Sequence, residues 1–219
     1  MGTAKAGRLP WKLLLPVAAL VAAAGFIIVP RLHPPEQLPV IDAKPAVESA
    51  SPMIPWREPA RDVQAFFPGK SEYTTDTVIL SRLRVPILKR LGPGAKLDAN
   101  ALYLYRVTQT GKQIGTVLIR RASGQYGVIE IVVGVNNEGK VVGVQVQRQR
   151  EPEAIAKVIT SSSWLSAFKG KTASSEFKIG SDLPAVAPEA ASSAGAMAVA
   201  IRALLIEFEV GENARLHKT

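Results

Sequence analysis

Between Leu102 and Gln147 four runs rich in Val, Ile, Leu and Tyr succeed one another with only a few residues between them. The runs are Leu102–Thr108, Ile114–Arg121, Gly127–Val135 and Lys140–Gln147; Thr110-Gly111-Lys112, Ser123-Gly124-Gln125 and Asn136-Asn137-Glu138-Gly139 separate them. A parallel connection needs a crossover of roughly a dozen residues, so turns this short, rich in Gly and Asn, predict an antiparallel meander.

Helical signals flank the meander. Before it, Val78 to Leu91 reads as a basic amphipathic helix interrupted ahead of Pro86. After it, Pro152 opens a helix over 153–160, a short one covers 164–168, and a long one runs from about Glu189 to Glu209, with Ala, Met, Val, Ile and Leu recurring at helical spacing. The predicted class is α+β, an antiparallel sheet with packed helices over residues 71–210 and a short tail over 211–219.

The N-terminal third differs in character. Leu13 to Val29 carries no charge and is closed by Pro30-Arg31, which predicts a transmembrane anchor over 13–30. Lys5, Arg8 and Lys12 outweigh Arg31 and Lys44, placing residues 1–12 in the cytoplasm and the main domain in the periplasm of a bacterial inner membrane. A signal peptide cleaved after Ala22-Ala23-Ala24 is the alternative, although Gly25 to Val29 continues the apolar run. Nine of the sixteen prolines fall between Pro30 and Pro68, so residues 31–70 read as an extended stalk or docking strap. Within it Trp56, Phe66 and Phe67 are apolar bodies suited to packing on the domain or to anchoring a partner.

Composition narrows the chemistry. The chain has no cysteine, which excludes disulfides, iron–sulfur clusters and thiolate metal sites. His33 and His217 lie near opposite ends, outside any metal-ligand spacing. Paired catalytic carboxylates, a Ser-His-Asp set and a phosphate loop are all missing, and Glu130 on an alternating strand reads as outward-facing. From Lys70 to Arg150 there are thirteen basic and five acidic residues within a net charge of +9. The basic residues alternate with apolar ones and lack interleaved aromatics, so a nucleic-acid interface is not indicated. A solvated face is one reading; a docking face for an acidic partner or anionic headgroups, built on Arg82, Arg84, Lys89 and Arg90 together with Trp56, is the other.

From Gly124 onward the order of signals resembles the FMN-binding domain of periplasmic flavoprotein subunits in Rnf-type and Na+-translocating NADH:quinone reductase complexes. The matching residues are Gly124-Gln125-Tyr126-Gly127, the strand 128–135, the turn and return strand 137–144, and Trp164 with Phe168-Lys169-Gly170-Lys171. They cover about half of the chain. The resemblance implies FMN joined by a phosphoester to the threonine of a Ser/Thr-Gly-Ala-Thr motif just ahead of the long helix. That chemistry needs a hydroxyl nucleophile, a glycine that lets backbone approach phosphate, and free amides at the helix start.

Ala187, Pro188, Glu189 and Ala190 occupy those four positions. Ala190 has no oxygen to esterify, Pro188 has neither the amide hydrogen nor the slenderness of glycine, and Glu189 adds negative charge where a phosphate would sit. A second flavin-contacting family segment, Glu-Thr-Pro-Gly-Leu-Gly, corresponds to Arg150-Glu151-Pro152-Glu153-Ala154-Ile155, where only the proline survives. Ser192 and Ser193 are the nearest substitute hydroxyls, Ser192 turned about 200° from position 190 on a helix.

Two functions follow as expectations. One is an accessory or structural subunit of a membrane electron-transfer complex, respiratory or photosynthetic, that carries no cofactor. The other is an electron-transfer flavoprotein holding FMN non-covalently, with Tyr126, Trp164 and Lys171 lining the pocket; Tyr126 and Trp164 also read as ordinary core aromatics. A polymer- or lipid-binding module is a further alternative.

Overall fold

A computed structural model of the protein describes residues 59–216. The predicted anchor, most of the predicted strap and Trp56 lie outside the described residues. Among the described residues no helix is long and apolar enough to cross a membrane.

The meander is present and has five strands, β1 (Glu72–Ile79), β2 (Ala101–Gln109), β3 (Lys112–Ser123), β4 (Val128–Asn136) and β5 (Val141–Arg148), in sequence order across one sheet. Every neighbouring pair is antiparallel. The β2–β3 hairpin turns on Thr110-Gly111, both with positive φ, the geometry whose twist matches flanking strands. At the β4–β5 turn the Asn136 side-chain oxygen accepts from the Glu138 and Lys140 amides, and Gly139 takes the left-handed conformation at φ 74°.

The region expected to be one helix over Val78–Leu91 divides in two. Val78 and Ile79 end β1, a 3-10 turn covers Leu80–Leu83, and α2 begins only at Arg84, running to Leu91 with Pro86 in its first turn, where a missing amide costs nothing. The edge strand escaped the sequence reading because Tyr73-Thr74-Thr75-Asp76-Thr77 offers no apolar alternation. The stalk reading also ends too late: Ala60–Phe66 forms a helix, α1.

Each sheet face has its own cover. On one, Val63 and Phe67 with half-buried Phe66 of the α1 region pack on Tyr105, Val107, Val117 and Val132. Phe66 and Phe67 are therefore packed on the domain. The sheet is carved for these rings: Gly134 and Gly143 stand opposite each other in β4 and β5, and a Cβ on Gly143 would come within 2.7 Å of the Phe66 ring. Glu130 also faces this side, opposite Arg121 and Arg148, and is 3% exposed; the expected outward position is covered.

The other face carries the larger core. The helix α5 (Ala191–Leu216), 26 residues and so about 39 Å long, lies across it, with α2, α3 (Glu153–Ile159) and α4 (Ser162–Ser166) alongside. Two polar ties fix its place. Arg120 of β3 donates to fully buried Glu207 at 2.8 Å. Arg106 of β2 forks both ways, Nε to Asp76 at 2.9 Å and both Nη atoms to Glu212 at 3.1 and 2.8 Å.

These ties set opposite acid responses. Burial works against ionising Asp76, but the Arg106 hydrogen bond, the Thr77 amide and the Arg106 charge outweigh it and hold its carboxyl below the usual range. Burial pushes the Glu207 carboxyl up, with Arg120 opposing. A depressed group stabilises the fold above its unfolded value, 3.8 for Asp76, and that support is lost as pH falls through the folded value; a raised group such as Glu207 contributes fully below its unfolded value and loses the contribution as pH rises through the folded one. Asp76→Asn should therefore be less stable than the wild type at pH 7, with the difference closing on acidification through the carboxyl range. Chemical denaturation at stepped pH measures it, and a constant gap would remove Asp76 from the account.

The Phe66 seat makes a second prediction. Gly143→Ala should destabilise the domain by about 1–3 kcal/mol through overpacking. Combined with Phe66→Ala, it should cost less than the two single changes summed, since both act on one space; urea unfolding of the four variants decides it.

Candidate functional site

Three segments that are distant in sequence meet at the start of α5. Ala187 precedes a 3-10 turn over Pro188–Ala190, which runs directly into the helix. Pro at the first turn and Glu189 beside it suit a helix start, proline by its fixed φ and glutamate by the dipole. The four positions predicted to correspond to a flavin-attachment motif thus do stand ahead of the long helix. Ala190 is 0% exposed, its amide donates to the Ala187 carbonyl at 2.9 Å, and α3 packs against this turn.

The β3–β4 turn, Gly124 to Gly127, comes to the same place. Its backbone amides are held by side chains: Gln125 N–H donates to Ser193 Oγ at 3.0 Å, and Tyr126 N–H donates to Glu151 Oε1 at 3.2 Å. Gly124 N–H closes the turn on the Gly127 carbonyl at 2.8 Å. A Cβ on Gly124 would stand 2.1 Å from the Glu151 oxygen, so glycine is what admits the carboxylate. Glu151 is itself buried, and its second oxygen has no partner among the described residues.

The arrangement is an anion cradle filled from within. Successive turn amides beside a helix N-terminus attract negative charge; here one amide meets a hydroxyl and the next a carboxylate, both from the chain. Ser193, a candidate substitute for the missing threonine, is buried and engaged with the turn. Ser192 is exposed. Glu151 and Ser193 had no role as acceptors for the turn in the sequence reading, because a single hydroxyl and a single carboxylate acting across 68 and 25 positions leave no local pattern.

The residues nominated to line a flavin pocket do not converge. Trp164 is 2% exposed and packs edge-on to Phe168 with ring centroids 5.3 Å apart; it is a core residue, and its indole Nε1 has no partner among the described residues. Lys171 pairs with Asp182, whose other oxygen takes the Phe177 amide at 2.8 Å, and the Lys171 carbonyl accepts from the Val141 amide where β5 begins. Tyr126, 58% exposed, lies at the other end of β4–β5, separated from Lys171 by about 20 Å of strand. The Lys171 pair holds Asp182 below the ordinary carboxylate range.

Of the nominated basic residues, Arg82, Arg84 and Lys89 are exposed. Arg90 is tied to Glu209 at 2.8 Å and is not free for a partner. Among the described residues no cluster of His, Cys, Asp and Glu is able to hold a metal ion.

No protein-family model matches the chain. Over 88 residues it is 33% identical to one component of the ion-translocating oxidoreductase complex of Photorhabdus laumondii. The similarity is to a subunit of a membrane electron-transfer complex. It covers 36% of this chain and 42% of that relative, so the chain spans less than half of the relative it matches.

Removing the Ser193 hydroxyl should free the turn. Ser193→Ala is expected to cost about 1 kcal/mol and to raise the hydrogen-exchange rate of the Gln125 amide, with the Gly124 amide much less affected. Equal protection of Gln125 in both proteins would show that the tie contributes nothing.

Proposed function

We propose that the protein is a membrane-anchored accessory subunit of a membrane electron-transfer complex, with an extracytoplasmic FMN-binding-like domain that carries no covalent flavin. The observation that carries the reading is Ala190: the position expected to bear the esterified hydroxyl ends in a methyl group and is fully buried. A phosphoester cannot form there. Three further features support it. Pro188 lacks the amide that would meet phosphate, Glu151 takes the Tyr126 amide, and Ser193 takes that of Gln125. A phosphate entering this cradle would have to displace a buried carboxylate and would meet Glu189 at its rim.

In this reading the domain serves as a shaped body. The similarity to a component of an ion-translocating oxidoreductase complex supports the class of assembly. The anchor over 13–30 supports attachment to the bilayer, and the strap preceding α1 would lead from the membrane to the sheet. Electrons would pass through cofactors of neighbouring subunits.

The test is optical and gravimetric. The full chain, purified in detergent from native membranes, should be colourless, show no flavin fluorescence before or after denaturation, and have the mass of the unmodified polypeptide. It should also migrate in native gels within a large complex. A mass increment of one flavin mononucleotide, or yellow colour released by denaturation, would overturn the flavin-free reading, and migration as a free monomer would overturn the subunit reading.

A further inference from the structure

The outer edge of β1 is unpaired among the described residues, and its design differs from that of a protected edge. In β1 the register against β2 runs without a shift from Glu72 to Ile79, and the strand contains no Pro, Lys or Arg. Natural edges are ordinarily blunted by such residues or by bulges. Parity gives the direction of the free groups. Leu80 N–H is bonded toward the β2 side, to the Asn100 carbonyl at 2.8 Å, whereas Thr77 N–H meets only its neighbour's carboxylate, Asp76 Oδ1. The backbone groups of Tyr73, Thr75, Thr77 and Ile79 therefore point outward.

A cavity of about 240 Å³ opens beside this edge, between β1 and the end of α5, lined in part by Val78, Leu83, Ala214, Arg82 and Arg215. The even-numbered side chains of β1 face it, so alternate side chains of an added strand would enter it, one against Val78 and another toward the arginines. Where β1 ends the surface is both apolar and basic. Ile79 is 47% and Val85 79% exposed, and Arg82, Arg84 and Lys89 have no ion-pair partner among the described residues.

We propose that this edge receives an extended, acidic segment of a partner subunit as a sixth strand. The inference rests on the subunit reading above and adds the surface and the chemistry of the partner. Main-chain pairing with β1 supplies the attachment; an apolar side chain in the cavity sets register; carboxylates near its end meet Arg82 and Arg84. A second copy of the chain fits less well: antiparallel self-pairing centred on Thr75 brings Lys70 of one copy toward Arg82 of the other, setting cation against cation.

The experiment uses full-length protein in its native membranes, with a photo-crosslinking amino acid in place of Thr75. The expected product joins position 75 to a different polypeptide, within a segment bearing Asp or Glu. Thr77→Lys, at an exposed side chain, should lower the yield about tenfold by blocking the edge while leaving circular dichroism and the unfolding midpoint unchanged. Arg82→Glu/Arg84→Glu should lower it further at about 0.15 M salt than at low salt, because screening weakens what attraction remains. Crosslinking to a second copy, to residues 1–58, to lipid or to a segment without acidic residues would overturn the inference, as would a yield indifferent to Thr77→Lys. If the wild type assembles and Thr77→Lys assembles equally, the edge proposal alone fails; if the wild type is a free monomer, the subunit reading fails with it.

Discussion

The contact between Arg120 and Glu207 fixes where the long helix lies on the sheet, and the geometry of the candidate site follows from it. A carboxylate without exposed surface is costly unless paired, so Glu207 must stand over the one strand position that offers a guanidinium. From there to Ser193 is fourteen residues of helix, about 21 Å. From Arg120 to Gln125 is five residues of extended chain, about 16 Å. The two paths end in a hydrogen bond of 3.0 Å, as an oblique crossing of strand and helix requires. The Arg106 fork on Glu212 holds the far end of the helix over β1 and β2, and Gly211 lets it approach Val78 closely there. A slip of one residue along either element would turn Glu207 away from Arg120.

Once the helix is placed, the neighbouring segments have little choice. The short connection from β5 to α3 carries Glu151 under the β3–β4 turn, and α3 then packs on the 3-10 turn at Pro188–Ala190. These are the same segments that carry the sequence resemblance. Their meeting depends on the meander and on the helix crossing it, while what fills the space between them depends on a handful of side chains. Fold and content are thus separable: Ala190, Glu151 and Ser193 decide what the cradle holds without deciding that there is a cradle.

That separation also explains what could be read from the chain. The hairpins were legible because Gly and Asn at the turns and β-branched residues between them act within a few positions. Strand β1 was not, since its stretch of threonines with Asp76 lacks a buried and an exposed parity and gains its place only by pairing with β2. Helix α1 was hidden by the prolines around it, although Pro59 sits just before the helix, where proline is tolerated. Glu130 was assigned to solvent by alternation, which identifies a face but cannot say whether that face is covered. The chemistry at the helix start was legible in its absences, Ala190 and Pro188, and illegible in the residues that replace a ligand, because Glu151 and Ser193 act at long range on single amides.

Filling the cradle from within has a physical rationale beyond the loss of a hydroxyl. Turn amides pointing together are expensive to bury without acceptors, so a scaffold that no longer holds an anion must supply acceptors of its own or open to water. Ser193 and Glu151 do this with little rearrangement, and Gly124 leaves the room that the carboxylate needs. The second Glu151 oxygen, buried without a partner among the described residues, marks the limit of the substitution. A carboxylate offers two acceptor atoms, the turn presents one remaining amide, and the surplus is the expected signature of a side chain placed in a cradle shaped for something larger.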